Sequence, residues 1–173
     1  MTVEIRSALL KDINQIAQIH VDSWGVAFEG LMPQGYISGY TLDVRRKEWS
    51  SIIQTESECV IVAERDQQVI GFLSYYINPT HSDVIELSKL YLSPYLYRQG
   101  VGTQLMNAFN QVVKAEAIKR ISLYVLDNNQ SAMKFYQKLG FVETGEFEKT
   151  EYDGETIIDI RLMKEVGKQR FPT

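Results

Sequence analysis

The sequence is poor in residues that staple, ligate or break a chain. It has one cysteine, Cys59, among 173 residues. That excludes an internal disulfide framework and a cysteine-based zinc cage. Its two histidines, His20 and His81, have no spaced partners, so no metal site is expected. Four prolines and 11 glycines are too few for a collagen-like or low-complexity chain. Positive charge is also scarce: 18 Lys and Arg against 22 Asp and Glu leave a net charge of −4. Counterion release needs a surplus of cations, so a general nucleic-acid binder is disfavoured and only a local basic pocket is allowed. Long apolar runs are missing. The longest uncharged stretch, Gln67 to Ser82, is broken by Gln68, Asn78, Pro79 and His81, and only Val69 to Ile77 is strongly apolar. That is strand length, too short to span a bilayer. The start of the chain is charged at Glu4, Arg6, Lys11 and Asp12, with no apolar h-region after it. The expectation is a soluble, cytoplasmic protein with no membrane and no nucleic-acid partner.

What is present suits one folded domain. Hydrophobic residues make up 45% of the chain and aromatics 11%, enough for a full core at this length. No repeat or linker interrupts it. The domain is expected over residues 1–166, with 167–173 as a tail. Residues 3–7 alternate like a short strand. Asp12 offers an N-cap for a helix bearing Ile13, Ile16, Ala17 and His20. Residues 24–40 mix aromatics with glycines, as short helical pieces and loop. Residues 43–54 read as a helix with Val44, Trp49, Ile52 and Ile53 as apolar positions. Strands are expected at 59–64, beginning with a packed Cys59, and at 68–77 and 84–92, with a turn at Asp66-Gln67. A long helix follows the glycines at 100 and 102, with a stripe of Leu105, Met106, Phe109, Val112, Val113 and Ala117. After it come a strand at 121–126, a helix at 129–139 with Ala132, Phe135 and Leu139 apolar and Gly140 as its stop, and strands at 141–149 and 156–163 about Asp153-Gly154. This order predicts a mixed α/β (α+β) fold with a mainly antiparallel central sheet flanked by helices.

The segment richest in chemistry runs from Glu86 to Thr103. A strand leads through a short loop, Arg98-Gln99-Gly100-Val101-Gly102, into a helix. A helix N-terminus exposes unpaired N–H groups and about half a positive charge. Glycines let the backbone approach a ligand, and Arg98 adds a charged donor. This is a diphosphate cradle. A Walker loop needs Lys followed by Ser or Thr, but Thr103-Gln104 follow Gly102. A dinucleotide fingerprint needs a third glycine, and position 105 is Leu. The remaining readings are the pyrophosphate loop of an acyl-CoA enzyme or a helix entry whose glycines serve packing.

Two motifs carry a resemblance. One is Tyr97-Arg98-Gln99-Gly100-Val101-Gly102, preceded by Leu90-Tyr91-Leu92-Ser93-Pro94. The other is the strand from Leu123 followed by Asn129, then Phe135-Tyr136 and Gly140-Phe141. In order and spacing, the chain resembles the GNAT (Gcn5-related) N-acetyltransferases over about residues 2–164. Tyr97 stands where that family usually has Gln or Arg, which weakens one side-chain contact and leaves the backbone donors at 98–103 intact. The resemblance implies a GNAT-like fold and acetyl-CoA as co-substrate, in a V-shaped opening between the strands at 84–92 and 121–126. Backbone of Leu90, Tyr91 and Leu92 would pair with the pantetheine amides. An N–H near Leu92 would polarise the thioester carbonyl. Arg98, Gln99, Gly100, Val101, Gly102 and Thr103 would hold the diphosphate, and Asn129 the pantetheine arm.

For catalysis the resemblance implies Tyr136 and Glu86. A phenol of pKa about 10 can protonate a leaving thiolate whose thiol pKa is about 8.5. An alkyl ammonium is neutral in only about one part in 2,500 at pH 7, so deprotonation costs roughly 4.6 kcal/mol. Glu86, six residues before Leu92, matches the base of the histone-modifying branch. Period-2 alternation puts it on one face with Ser88, Leu90 and Leu92. Tyr124 occupies a position where other members carry a second carboxylate. Trp24, Phe28, Glu29, Tyr36, Tyr75 and Tyr76 are candidates to line an acceptor pocket. The acceptor would be a small-molecule or peptide amine: a polyamine, another small amine, an amino acid or a protein N-terminus. A homodimer is implied only at family level. Two other readings stand beside the enzyme: a non-catalytic acyl-CoA-binding sensor or interaction module on the same fold, and a nucleotide-binding regulator unrelated to CoA.

Overall fold

The computed structural model describes residues 2–167. Apart from Gly167, the expected tail lies outside the described residues. The elements are β1 (Glu4–Ser7), α1 (Ile13–Ala27), α2 (Gln34–Gly39), α3 (Leu42–Thr55), β2 (Cys59–Arg65), β3 (Gln68–Ile77), β4 (Val84–Leu92), α4 (Val101–Ala115), β5 (Arg120–Leu126), α5 (Gln130–Lys138), β6 (Val142–Tyr152) and β7 (Glu155–Glu165). The seven strands form one sheet in the order β1-β2-β3-β4-β5-β7-β6. β2 is antiparallel to β1 and β3, and β7 is antiparallel to β5 and β6. β4 and β5 are parallel through Val84↔Arg120, Ile85↔Ile121 and Glu86↔Ser122. The expected mixed, mainly antiparallel sheet flanked by helices is therefore what forms. The β2–β3 hairpin turns on Asp66 and Gln67, at φ 52 and 64, and the β6–β7 hairpin on Asp153 and Gly154, at φ 48 and 77. Two consecutive left-handed residues match the right-handed twist of paired strands.

The chain groups into two units. The first takes the residues up to Tyr76 with Ser88–Val112, and the second Ile77–Leu87 with the chain from Val113. In the first, α1 and α3 lay Ile16, Ala17, Ile19 and Trp49 over Val60, Val62, Val69 and Phe72. In the second, Ile121, Leu123 and Val125 of β5 are buried with Met133 of α5, Phe141 and Leu162. Each fully buried side chain of this size contributes about 1.5–3 kcal/mol.

Several side chains depart from the sequence reading. Asp12 stands at the N-cap position of α1, but its side chain caps nothing there. A 3-10 turn, Leu10–Asp12, runs straight into the helix. The carboxylate instead accepts the Leu9 N–H at 2.8 Å and the Arg6 guanidinium at 2.8 and 3.0 Å. Burial alone would raise its pKa, but the Arg6 hydrogen bonds and the Leu9 amide outweigh that and lower it. Cys59 is exposed at the start of β2, not packed. On α3, Val44 is exposed while its neighbour Arg45 is buried. On α5, Phe135 is exposed and Met133 is buried. Ala117 lies beyond the end of α4, in the left-handed conformation at φ 53.

Candidate active site

The residues expected to form the anion cradle lie within the first unit. Gln104 N–H donates to Gly100 O at 3.1 Å. The N–H groups of Val101, Gly102 and Thr103 precede it and have no intrahelical acceptor. Arg98 at φ 65 and Gly100 at φ 78 bend the loop so that these donors lead the helix. A Cβ on Gly100 would meet nothing within 4 Å, so that face of the turn is open. Val101, 2% exposed, pins the first turn into the core. Gln99 is tethered by Arg65 Nη1 at 3.2 Å. Tyr97 is 42% exposed, and the covering of the rest of its side chain raises its phenol pKa. Upstream, Ser93 N–H donates to Ile70 O at 2.9 Å. Gly71 makes room for β4, since a Cβ there would lie 2.7 Å from Leu92 Cδ2 and 3.3 Å from Tyr91 O.

Behind β4, in the same unit, stands an aromatic cluster. Trp24 Nε1 donates to Tyr91 Oη at 2.9 Å, and Trp49 Nε1 donates to His20 Nδ1 at 3.0 Å. An indole only donates, so His20 is the neutral Nε2–H tautomer. Burial, reinforced by the nearby charges of Arg45 and Lys89, pushes its pKa down to about 2. Trp24 meets Phe28 at 5.3 Å, Tyr36 at 6.3 Å and Tyr40 at 4.9 Å. The expected grouping of Trp24, Phe28 and Tyr36 is thus real, while Tyr75 instead packs on Phe109 of α4 at 5.5 Å. Arg45 was not singled out from sequence. Its guanidinium lies 4.3 Å from the Trp24 ring and 4.1 Å from the Tyr40 ring, and Nη1 donates to Glu48 at 2.7 Å. Its Nε and Nη2 are buried without a hydrogen-bond partner.

The second unit carries the candidate acid and base. Glu86 is 7% exposed and Ser122 is fully buried. They are cross-strand partners on β4 and β5, and Ser122 Oγ donates to Glu86 Oε2. Arg161 Nη2 donates to the same Ser122 Oγ at 3.4 Å, while Nη1 pairs with Glu146. Tyr124 lies opposite Arg161 in register. Its phenol is raised by burial first, then by Glu148 and Glu86, against the opposing charge of Arg161. Asp159 pairs in register with Glu148. Burial and the charges of Glu148 and Asp127 raise its pKa. Neither Ser122 nor Asp159 was marked in the sequence; a serine or aspartate inside a strand carries no motif.

Tyr136 is half-buried on α5, edge-on to Phe135 at 5.2 Å and to Phe141 at 5.6 Å. Phe141 N–H donates to Tyr136 O at 3.1 Å and Gly140 N–H to Gln137 O at 3.0 Å. With Gly140 at φ 95, this is a Schellman cap, and the Tyr136–Phe141 contact is the apolar clasp that accompanies it. Asn129 caps the other end of α5, its Oδ1 accepting the Ala132 N–H at 3.2 Å. Its Nδ2 and the second lone pair of Oδ1 are the carboxamide groups able to serve a ligand. No helix among the described residues is long and apolar enough to cross a membrane.

Comparison with known proteins bears on the family and the fold. The model of the acetyltransferase (GNAT) family matches residues 14–141. A spermidine N(1)-acetyltransferase from Thermoplasma acidophilum is 27% identical over 146 residues, 82% of this chain and 89% of the relative. The N-acetyltransferase YuaI of Bacillus subtilis, itself uncharacterized, is 29% identical over 170 residues, 95% of this chain and 91% of its own. Among solved structures, PaiA N-acetyltransferase from Thermoplasma acidophilum, crystallised with coenzyme A, superposes with a TM-score of 0.71 at 24% identity, covering 95% of this chain and 99% of that one. A GCN5-related N-acetyltransferase from Rhodopseudomonas palustris gives 0.76 at 19% identity, over 96% and 97%. With that family model spanning most of its length, the chain belongs to the GNAT family of acetyltransferases and is an acyltransferase enzyme.

Proposed function

We propose that this enzyme transfers the acetyl group of acetyl-CoA to a cationic primary amine, a polyamine or similar small amine, by direct attack in a ternary complex. The donor set suits the co-substrate. Three helix N–H groups and Arg98 offer an anion-binding turn of the kind a diphosphate takes. The observation that carries the choice of acceptor is the gathering of Asp127, Glu148 and Asp159, where burial first and then the charges of Glu148 and Asp127 raise the pKa of Asp159. An approaching ammonium group relieves that repulsion, whereas a carboxylate adds to it. The relative named for spermidine acetylation points the same way.

In this reading Glu86 accepts one proton from the acceptor's ammonium, directly or through a water, and the freed amine attacks the thioester carbonyl. A C–N bond forms and the C–S bond breaks. Tyr136 donates its phenolic proton to the departing thiolate and regains one from the attacking nitrogen. The products are the amide, the thiol and one released proton. Backbone N–H groups at 101–103 and Arg98 hold the diphosphate, and the backbone of Leu90 to Leu92 aligns the pantetheine.

Following acetyl-CoA consumption over polyamines, amino acids, aminoglycosides and short peptides tests the acceptor. Polyamines should give the highest kcat/KM; turnover confined to amino acids or peptide N-termini would refute the cationic-amine reading. Tyr136→Phe should lower kcat at least 10-fold with acetyl-CoA affinity retained. An unchanged kcat would remove Tyr136 as the acid.

A further inference from the structure

The second unit holds a buried polar chain that motif comparison does not reach. Arg161 on β7, Ser122 on β5 and Glu86 on β4 are joined by side chains alone, across separations of 39 and 36 residues. A guanidinium can only donate, so Ser122 Oγ accepts from Arg161 Nη2. Ser122 Oγ in turn donates to Glu86 Oε2. Ser122 is fully buried and Glu86 is 7% exposed, so bulk water does not supply that hydrogen bond. On the far side, Glu146 holds Arg161 through Nη1. Tyr124 also lies by the chain: it faces Arg161 in register and feels Glu86 and Glu148.

We propose that Ser122 and Arg161 are positioning residues for Glu86. Arg161 donates to Ser122 Oγ, the hydroxyl donates to Oε2, and the carboxylate is thereby fixed in rotation with Oε1 presented to the incoming ammonium. This inference rests on Glu86 being the base of the proposed reaction. It goes beyond that reading by assigning function to two residues outside both family motifs.

The test measures kcat, KM for the acceptor and KM for acetyl-CoA in Ser122→Ala, Arg161→Lys, Arg161→Met, Glu86→Gln and the Ser122→Ala/Glu86→Gln double variant. Ser122→Ala should lower kcat about 10-fold, with KM for acetyl-CoA unchanged. Arg161→Met should lower kcat in the same way, and Arg161→Lys should restore part of it. In the Glu86→Gln background, Ser122→Ala should have no further effect, because there is no longer a carboxylate to aim. A purely structural serine would lower activity by the same factor in both backgrounds, and that result overturns the proposal. If Arg161→Lys does no better than Arg161→Met, the arginine's part is lost. A fully active Glu86→Gln would instead refute the base assignment itself, which separates the two failures.

Discussion

His20 is a histidine that the fold keeps from becoming a cation. Its pKa, pushed down to about 2, lies well below the unfolded value of about 6.5. The unfolded chain therefore binds the proton first as pH falls. The native state has its full advantage above about pH 6.5 and loses it progressively on acidification, by up to about 1.4 kcal/mol per pH unit. His20→Asn keeps an acceptor for Trp49 Nε1 and removes the titration. Urea unfolding at pH 7 and pH 5 should show a smaller acid loss in that variant than in wild type; equal losses would place the acid sensitivity elsewhere. Asp12 acts at lower pH. Its lowered pKa means that its contribution is present above about pH 4 and is lost as the Arg6 pair is protonated away below that. Arg45 shows why residues such as these escape a reading of the chain. Nothing in Val44-Arg45-Arg46 marks the middle residue as buried, and only the meeting of α1 and α2 supplies the Trp24 and Tyr40 rings that cover it.

At the scale of elements, two helices end in the same way with different residues. After α5, Gly140 takes φ 95. After α4, Ile118 N–H donates to Val113 O at 3.1 Å and Ala117 N–H to Lys114 O at 3.3 Å, and the left-handed position is filled by Ala117 at φ 53. A Cβ is disfavoured there by about 1 kcal/mol. Chemical denaturation should find Ala117→Gly more stable by up to about 1 kcal/mol and Gly140→Ala less stable by about the same amount. If both substitutions shift stability in the same direction, the caps are not what limits these helices. The elements were legible because strand alternation, hairpin residues and the helical stripe of α4 are local signals. Helix α4 was read too long because Ala117 continues the apolar period past the point where the backbone has already turned. Asp12 was misassigned for a related reason. An acidic residue before a helix fits a cap and an ion pair equally well, and the choice was made by Arg6 of β1.

At the scale of the whole molecule, the net charge of −4 and the carboxylates of the second unit bear on how the acceptor arrives. Electrostatic steering of a cation toward an acidic face fades with ionic strength. KM for a polyamine should rise several-fold between about 20 mM and 300 mM salt, with kcat nearly constant; a KM indifferent to salt would argue for an uncharged acceptor. The turn at 98–103 that leads into α4 was visible in advance because glycine spacing at a helix entry is a local pattern. The chain from Arg161 to Glu86 was not, because it depends on the register that sets β4, β5 and β7 side by side.

Strand β6 lies at one end of the sheet order, with most of its residues exposed and its pairing to β7 shifted in register between Glu143 and Phe147. A rim of unsatisfied backbone like this is a template on which another copy could stack and grow into a fibril. Here Val142 and Phe147, both 56% exposed, are interleaved with Glu143, Glu146, Glu148, Lys149 and Glu151. Stacked copies would bring those like charges into alignment, so the outermost strand is its own deterrent to self-assembly.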